Sequence, residues 1–246
     1  MAYFAEFRTQ LQTRNFTKFL ELWQEYVASD IVDIKEILDI LRLVKSSDYV
    51  KLFGPHVEAI FPLIDLVQSQ QEKLAVYQLV FDLQTSNSPM LFELAMNLIK
   101  EHFPEASLLN EKLRLVGLRM GDNFQGCLSN FVLLSHLEKG NFVLHTAGWG
   151  VGQIIDVSFL REQVAIEFEH LTGGKKEIAF KNAFKTLLPI SKTHFLARRF
   201  HDPDLLEKEA RENPEEIIRE LLQDLGPKTA SEIRDEMIEL VIPEKD

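Results

Sequence analysis

The sequence predicts a mainly α-helical protein with one small β domain set between two helical regions, and three observations predict it. Residues 1–116 contain a single glycine, Gly54, whereas six glycines fall from Gly140 to Gly174. Over that same stretch the hydrophobic period changes from three- and four-residue spacing to alternation. The last segment, 191–246, returns to helical spacing and carries nine Lys/Arg against fifteen Asp/Glu. It therefore holds over half of the formal net charge of −11.

Residues 1–137 predict a string of amphipathic helices. Phe16, Phe19, Leu20, Trp23, Tyr26 and Val27 share one helical face, and Ile34, Ile37, Leu38, Leu41 and Val44 repeat the pattern one helix later. Phe61, Ile64 and Val67, then Leu74 to Leu83, then Leu91, Leu94, Ala95 and Leu98 continue it. The expected breaks are Ser46-Ser47-Asp48, Gly54-Pro55, Ser86 to Pro89 and Phe103-Pro104. Ser88 is a good N-cap, with Pro89 at the first helical position. Helices of this length with short connections suggest an α-solenoid of tetratricopeptide-like hairpins. Trp23, at helical spacing, belongs to the core.

Residues 138–190 predict an SH3-like small β-barrel of five short strands. Val164, Ile166 and Phe168 alternate with Ala165, Glu167 and Glu169, the pattern of a half-buried strand. Thr172 to Lys175 makes a turn into a facing strand at 177–180. Phe142–His145, Val151–Phe159 and Leu187–Ile190 supply the others. Residues 191–246 form an acidic helical segment. Asp202-Pro203 and Asn213-Pro214 start helices, Gly226-Pro227 stops the second, and Thr229 to Glu232 is a capping box opening a last helix through Leu240. The chain ends at Ile242 to Asp246 with no closing element, the pattern expected of part of a longer polypeptide.

Composition excludes several function classes. A net charge of −11 argues against non-specific binding to duplex nucleic acid, which needs a basic stripe. The single cysteine, Cys127, allows no internal disulfide, and it suits a buried, inert thiol in a reducing compartment. Neither a signal peptide nor an apolar run long enough for a bilayer is visible, so a cytoplasmic location is expected. The seven histidines lack metal-site spacing. Gly148-x-Gly150-x-Gly152 departs from the dinucleotide fingerprint, and a strand follows it where a phosphate-binding helix would start. No cofactor, metal or catalytic constellation is expected. Glu215/Glu216 and Asp235/Glu236, with Arg219 and Arg234, form a solvated helix surface.

The informative residues sit in and around the barrel. His145 is expected to hold the glycine turn Gly148, Gly150, Gly152 by a side-chain hydrogen bond to the backbone. Trp149 either caps the open barrel end or stands exposed as an anchor for a partner. Arg161, Lys175 and Lys176 are the further candidate contact residues. With Lys181 and Lys185 they also suggest nucleic-acid binding, but the cations of 138–190 are balanced by six acidic residues.

Val143, His145, Gly150, Gly152 and Ile154 resemble the opening of the small barrel in CarD-like regulators and the transcription-repair coupling factor, which interacts with bacterial RNA polymerase. That family usually has His-Gly before the second strand, where this chain has Gly148-Trp149, so its loop contacts do not transfer. The wider order resembles the long amino-terminal extension of certain Gre-type transcript cleavage factors. It runs from a helical array through the Gly-Trp-Gly-Val-Gly barrel to Lys-Thr-Leu-Leu-Pro-Ile at 185–190, His194-Phe195 and the Gly-Pro-Lys-Thr-Ala-Ser-Glu-Ile helix. The resemblance implies a non-catalytic region that binds RNA polymerase or an associated protein, with the magnesium-holding carboxylates of such factors outside this chain. The alternative is a helical-repeat scaffold without a transcription role.

Overall fold

The computed structural model describes residues 2–29, 32–119 and 123–237. The chain forms two compact units, 1–135 and 136–246.

In the first unit, α1 (Ala2–Gln12) is followed by α2 (Phe16–Val27) and α3 (Ile34–Lys45), which bury Phe19, Trp23 and Tyr26 and Ile37, Leu41 and Val44 from their expected faces. Asn15 and Asp33 cap α2 and α3 by accepting from the amides of Lys18 and Glu36. An aromatic cluster fills the core, with Phe7 edge-on to Phe19 at 4.9 Å and Trp23 edge-on to Phe53 at 4.9 Å. The Trp23 indole donates to the His56 carbonyl at 3.0 Å, which meets the polar need of a buried ring.

Between α3 and α6 the chain departs from a helical-hairpin repeat. Short helices α4 (Val50–Phe53) and α5 (Phe61–Asp65) flank a 3-10 segment, Gly54–Ile60. Gly54 is the C-cap of α4 and opens the 3-10 segment with an ordinary helical φ of −48°. A Cβ on it would stand 2.7 Å from the Leu83 carbonyl and 2.6 Å from the Thr85 side chain, so the residue permits a close approach of two backbones. Then come α6 (Gln70–Leu83), α7 (Pro89–His102), α8 (Leu109–Leu115) and α9 (Cys127–His136). Ser88 caps α7 as expected, accepting from the Leu91 amide. Lys45 of α3 bonds Asp82 of α6 at 2.6 Å. The tetratricopeptide-like solenoid is therefore not borne out in detail, because 50–65 lacks the long paired helices a repeat requires. Cys127 is buried, and burial pushes its thiol up to about 12.

The second unit opens with the five strands, close to their expected bounds. They are β1 (Phe142–His145), β2 (Gly150–Ser158), β3 (Gln163–Phe168), β4 (Lys175–Ala179) and β5 (Leu187–Ile190). They pair antiparallel in the order β4-β3-β2-β1-β5. The sheet is not closed: β4 and β5 are its edges, so a closed SH3-like barrel is not confirmed. A short helix, α10 (Phe180–Thr186), unforeseen from the periodicity, links β4 to β5.

The helices that follow are α11 (Phe195–His201), α12 (Pro203–Glu212), α13 (Pro214–Leu225) and α14 (Ala230–Met237). Asp202 caps α12 by accepting from the Leu205 amide. Asn213 occupies the N-cap of α13 but makes no capping bond with its side chain, contrary to expectation. Thr229 and Glu232 form the expected capping box, each accepting from the other's amide. The expected end of α14 at Leu240 lies outside the described residues.

These helices share a core with the sheet. Phe142, Val151 and Ile190 cluster with Phe195, Leu206, Ala210, Ile217, Leu221 and Met237. Arg199 on α11 bonds Glu169, just past β3, at 3.4 Å and Glu236 of α14 at 2.8 Å. The strands of 138–190 and the helices of 191–237, expected as separate segments, thus share one core.

Limited proteolysis tests this packing. Exposed Ser191–Thr193 is a cleavable link, yet a nick there should leave the two pieces co-eluting under native conditions, because they share that core. Pieces that separate without denaturant would show two independent units.

Candidate protein-binding surface

The β1–β2 turn assembles around a ring stack. Trp149 lies parallel to His145, with centroids 4.1 Å apart and planes 9° apart. Its indole also meets Phe168 edge-on at 5.4 Å, and His145 meets Phe168 at 5.5 Å. Trp149 is half-buried. Its packing partners come from the strands, β1 and β3, although the glycines around it offer none.

His145 holds the turn differently from expectation. It is 7% exposed and its Nδ1 has no hydrogen-bond partner, so stacking replaces the predicted side-chain bond. Burial pushes its pKa below the usual 6.5, which keeps the ring neutral at neutral pH.

The glycines answer to separate needs. Gly150 has φ of +74°, and a Cβ there would stand 2.7 Å from the His170 ring, so both conformation and space require glycine. Gly152 is a matter of space alone. A Cβ would meet the Ile166 and Phe168 side chains of the paired strand β3 at 2.6 Å, Gly152 lying opposite Phe168.

The structure separates the other candidates. Lys175 and Lys176, both exposed, pair with Glu167 and Ile166 near the end of β3, the same sheet end as Trp149. Arg161 lies in the β2–β3 connection at the opposite end. Nine residues of β2 at about 3.3 Å each set the two ends roughly 25–30 Å apart. Arg161 bonds the Ser158 hydroxyl through its amide and its Nε. Sequence reasoning missed its neighbour Leu160, which is 96% exposed. Glu162 at φ +52° and its carbonyl's bond from the Phe180 amide at 2.8 Å shape this tip.

The cations of the helices are mostly spoken for. Arg198 bonds Glu209 and Glu220, Arg211 bonds Glu207, Arg219 bonds Glu215 and Glu216, and Lys228 bonds Glu236. Among the described residues no cluster of His, Cys, Asp and Glu could hold a metal ion. No helix of the described residues is long and apolar enough to cross a membrane.

Residues 196–246 match the GRAD helix-turn-helix domain. The four-residue link from Gly226 to Thr229 between α13 and α14 has the length and the glycine of such a turn, a signal available in the sequence. The chain is 47% identical over 246 residues to transcription elongation factor GreA of Chlamydia pneumoniae, which covers all of this chain and 34% of that protein. It is 48% identical over 228 residues to transcription elongation factor GreA of Chlamydia trachomatis serovar D, 93% of this chain and 32% of that protein. The chain thus spans about a third of the length of the curated relatives it matches. No solved structure matches it. Homology to GreA-type factors extends over the whole chain, and the resemblance to the extension of a Gre-type factor holds.

The ring stack makes two measurable predictions. Trp149→Ala in the full chain should lower the unfolding free energy by roughly 1–3 kcal/mol, less than the 3–5 of a fully buried aromatic. A loss below about 0.5 kcal/mol, the range of plain surface changes, would mean that the stack does not support the turn. Because the folded state binds the His145 proton less readily than the unfolded chain, stability should fall as pH drops below about 6.5 and level off under the folded value. His145→Phe should flatten that slope in pH titrations of the melting temperature, and an unchanged slope would refute it.

Proposed function

We propose that this chain is a non-catalytic region of a Gre-like transcription elongation factor that docks on RNA polymerase. The docking surface is the sheet end built by Trp149, Lys175 and Lys176. The observation that carries this reading is the homology to GreA over the full chain, together with a half-exposed tryptophan preorganised by His145 and Phe168. A rigid aromatic of this kind is the usual anchor of a protein interface, since little side-chain entropy is lost on binding. Lys175 and Lys176 flank it and steer an acidic patch on the partner. Arg161 and Leu160, at the far end of β2, lie outside this contact.

Catalysis is assigned elsewhere. No described residues combine a nucleophile, a base and an oxyanion hole, and a carboxylate-held metal belongs to the part of such factors outside this chain. The helix-turn-helix match does not make this a DNA reader. A domain that neutralises phosphates needs unpaired cations along one face, and here the helical arginines bond glutamates of their own unit.

Binding of the full chain to purified core RNA polymerase, followed by surface plasmon resonance, tests the proposal. Lys175→Glu with Lys176→Glu leaves the fold intact, slows association severalfold and weakens its salt dependence. Arg161→Glu should leave binding unchanged. If the wild-type chain does not bind polymerase, the scaffold reading takes its place. If it binds duplex DNA tightly with a steep salt slope, the nucleic-acid reading does.

A further inference from the structure

His145 and Trp149, the two stacked rings, are held to the protein in different ways. His145 lies in β1, a strand with a neighbour on each side, opposite Gly150 of β2 and Leu187 of β5. Its backbone cannot shift without breaking the sheet. Trp149 stands in the turn between two left-handed glycines, Gly148 at φ +95° and Gly150 at +74°. A Cβ on Gly148 would meet nothing within 4 Å, and the Gly148 amide reaches the His145 carbonyl only at 3.4 Å. The Trp149 carbonyl is held by the His170 amide at 3.2 Å. Of the two rings, the half-buried indole is therefore the one free to leave, by rotation of its own side chain and of the open glycine before it.

The stack suits a neutral imidazole. His145 is 7% exposed and its Nδ1 has no hydrogen-bond partner. An imidazolium carries a hydrogen on both nitrogens, so it would bury a charge together with an Nδ1 donor that has no acceptor. Attraction between a cation and the indole face offsets part of that cost, but burial is the larger effect, since it holds the His145 pKa below the ordinary value. The charged groups around the ring do not supply the missing acceptor. β2 and β5 place Gly150 and Leu187 beside it, and β3 contributes Phe168 and, past its end, Glu169 and His170. Glu169 is taken up by Arg199 at 3.4 Å through one oxygen, with His170 at 3.4 Å from the other. Lys175 and Lys176 of β4, and Lys185 next to the Thr186 carbonyl that bonds the Thr146 amide, are donors only.

We propose that the His145–Trp149 stack is a proton-operated latch on the β1–β2 turn. With His145 neutral, Trp149 lies on the imidazole in one fixed pose. When His145 takes a proton from solvent, Trp149 swings away and water reaches Nδ1. In the open turn the ring regains its ordinary value of 6.5, so the latch is closed above that pH and opens progressively as pH falls below it. The consequence for binding rests on the docking function proposed above: affinity for the partner falls with the fraction of closed turns. The latch itself is a property of the free chain and does not depend on that reading.

Fluorine nuclear magnetic resonance of the full chain, grown with fluorotryptophan, tests the latch. The chain has two tryptophans, so Trp149 gives one resonance, assigned by its loss in Trp149→Phe, and the core residue Trp23 gives an internal reference. Between about pH 7.5 and about pH 5, a range that spans the ordinary imidazole value, the Trp149 resonance should move toward that of free fluorotryptophan while the Trp23 resonance stays. His145→Phe, which keeps a ring but takes up no proton, should make the Trp149 resonance independent of pH, and so should His145→Leu. His170→Gln, at the other imidazole beside the turn, should leave the movement as it is. A Trp149 resonance that stays still, that moves together with Trp23, or that still moves in both His145 variants would overturn the proposal, as would loss of the movement in His170→Gln alone. Surface plasmon resonance on core RNA polymerase at the two ends of that range reads the consequence. Relative to His145→Phe, the unmutated chain should lose affinity severalfold at the acidic end. An equal pH dependence of the two chains would overturn the link to docking. Absence of binding at every pH would contradict the docking function, and the fluorine result would still decide the latch.

Discussion

The second unit depends on one apolar layer, where Phe142, Val151 and Ile190 of the sheet meet Phe195, Leu206 and Leu221 of the helices. Neither partner has another place for these side chains. An open five-stranded sheet has two faces and too few residues to cover both, and helices α11 to α14 are too short to form a core by themselves. The remaining polar contacts follow from that packing. Asp224 of α13 accepts from the Phe195 amide at 2.6 Å and so caps α11 from a different helix. Arg199 then ties the end of β3 to α14. Both bonds require the apolar layer to be in register first.

Much of this was legible in the sequence, because local chemistry decides it. Strands β1 and β5 fall on their predicted bounds, and the starts of α12 and α13 follow from Asp202-Pro203 and Asn213-Pro214. The capping box at Thr229 and Glu232 and the cap at Ser88 are likewise local. What stayed hidden is set by distant neighbours. At Gly54, where the 3-10 segment begins, Leu83 and Thr85 pass too close for any side chain. The joining of sheet to helices was invisible because periodicity marks which face is buried without saying against what. At the candidate site the sequence singled out Trp149 and His145, yet their stack needed Phe168 and the β2–β3 register to be seen. Arg161 looked equivalent to Lys175 and Lys176 until strand geometry placed it at the other end.

The arrangement separates two kinds of chemistry on one body. At one end the half-buried Trp149 stacks on His145 in a turn that holds Gly148 and Gly150 at positive φ. Elsewhere the acidic helices pair with their own arginines, and the chain keeps a formal net charge of −11. On the function proposed above, such a distribution favours a protein partner over nucleic acid, since like charge penalises the wrong partner.

Hydrogen–deuterium exchange of the full chain, free and bound to core RNA polymerase, tests the central claim most directly. The account predicts slowed exchange confined to the β1–β2 turn at 146–150 and the β3–β4 turn at 169–176, with the β2–β3 tip at 159–162 unaffected. Protection limited to residues 1–135, or centred on that tip, would contradict it.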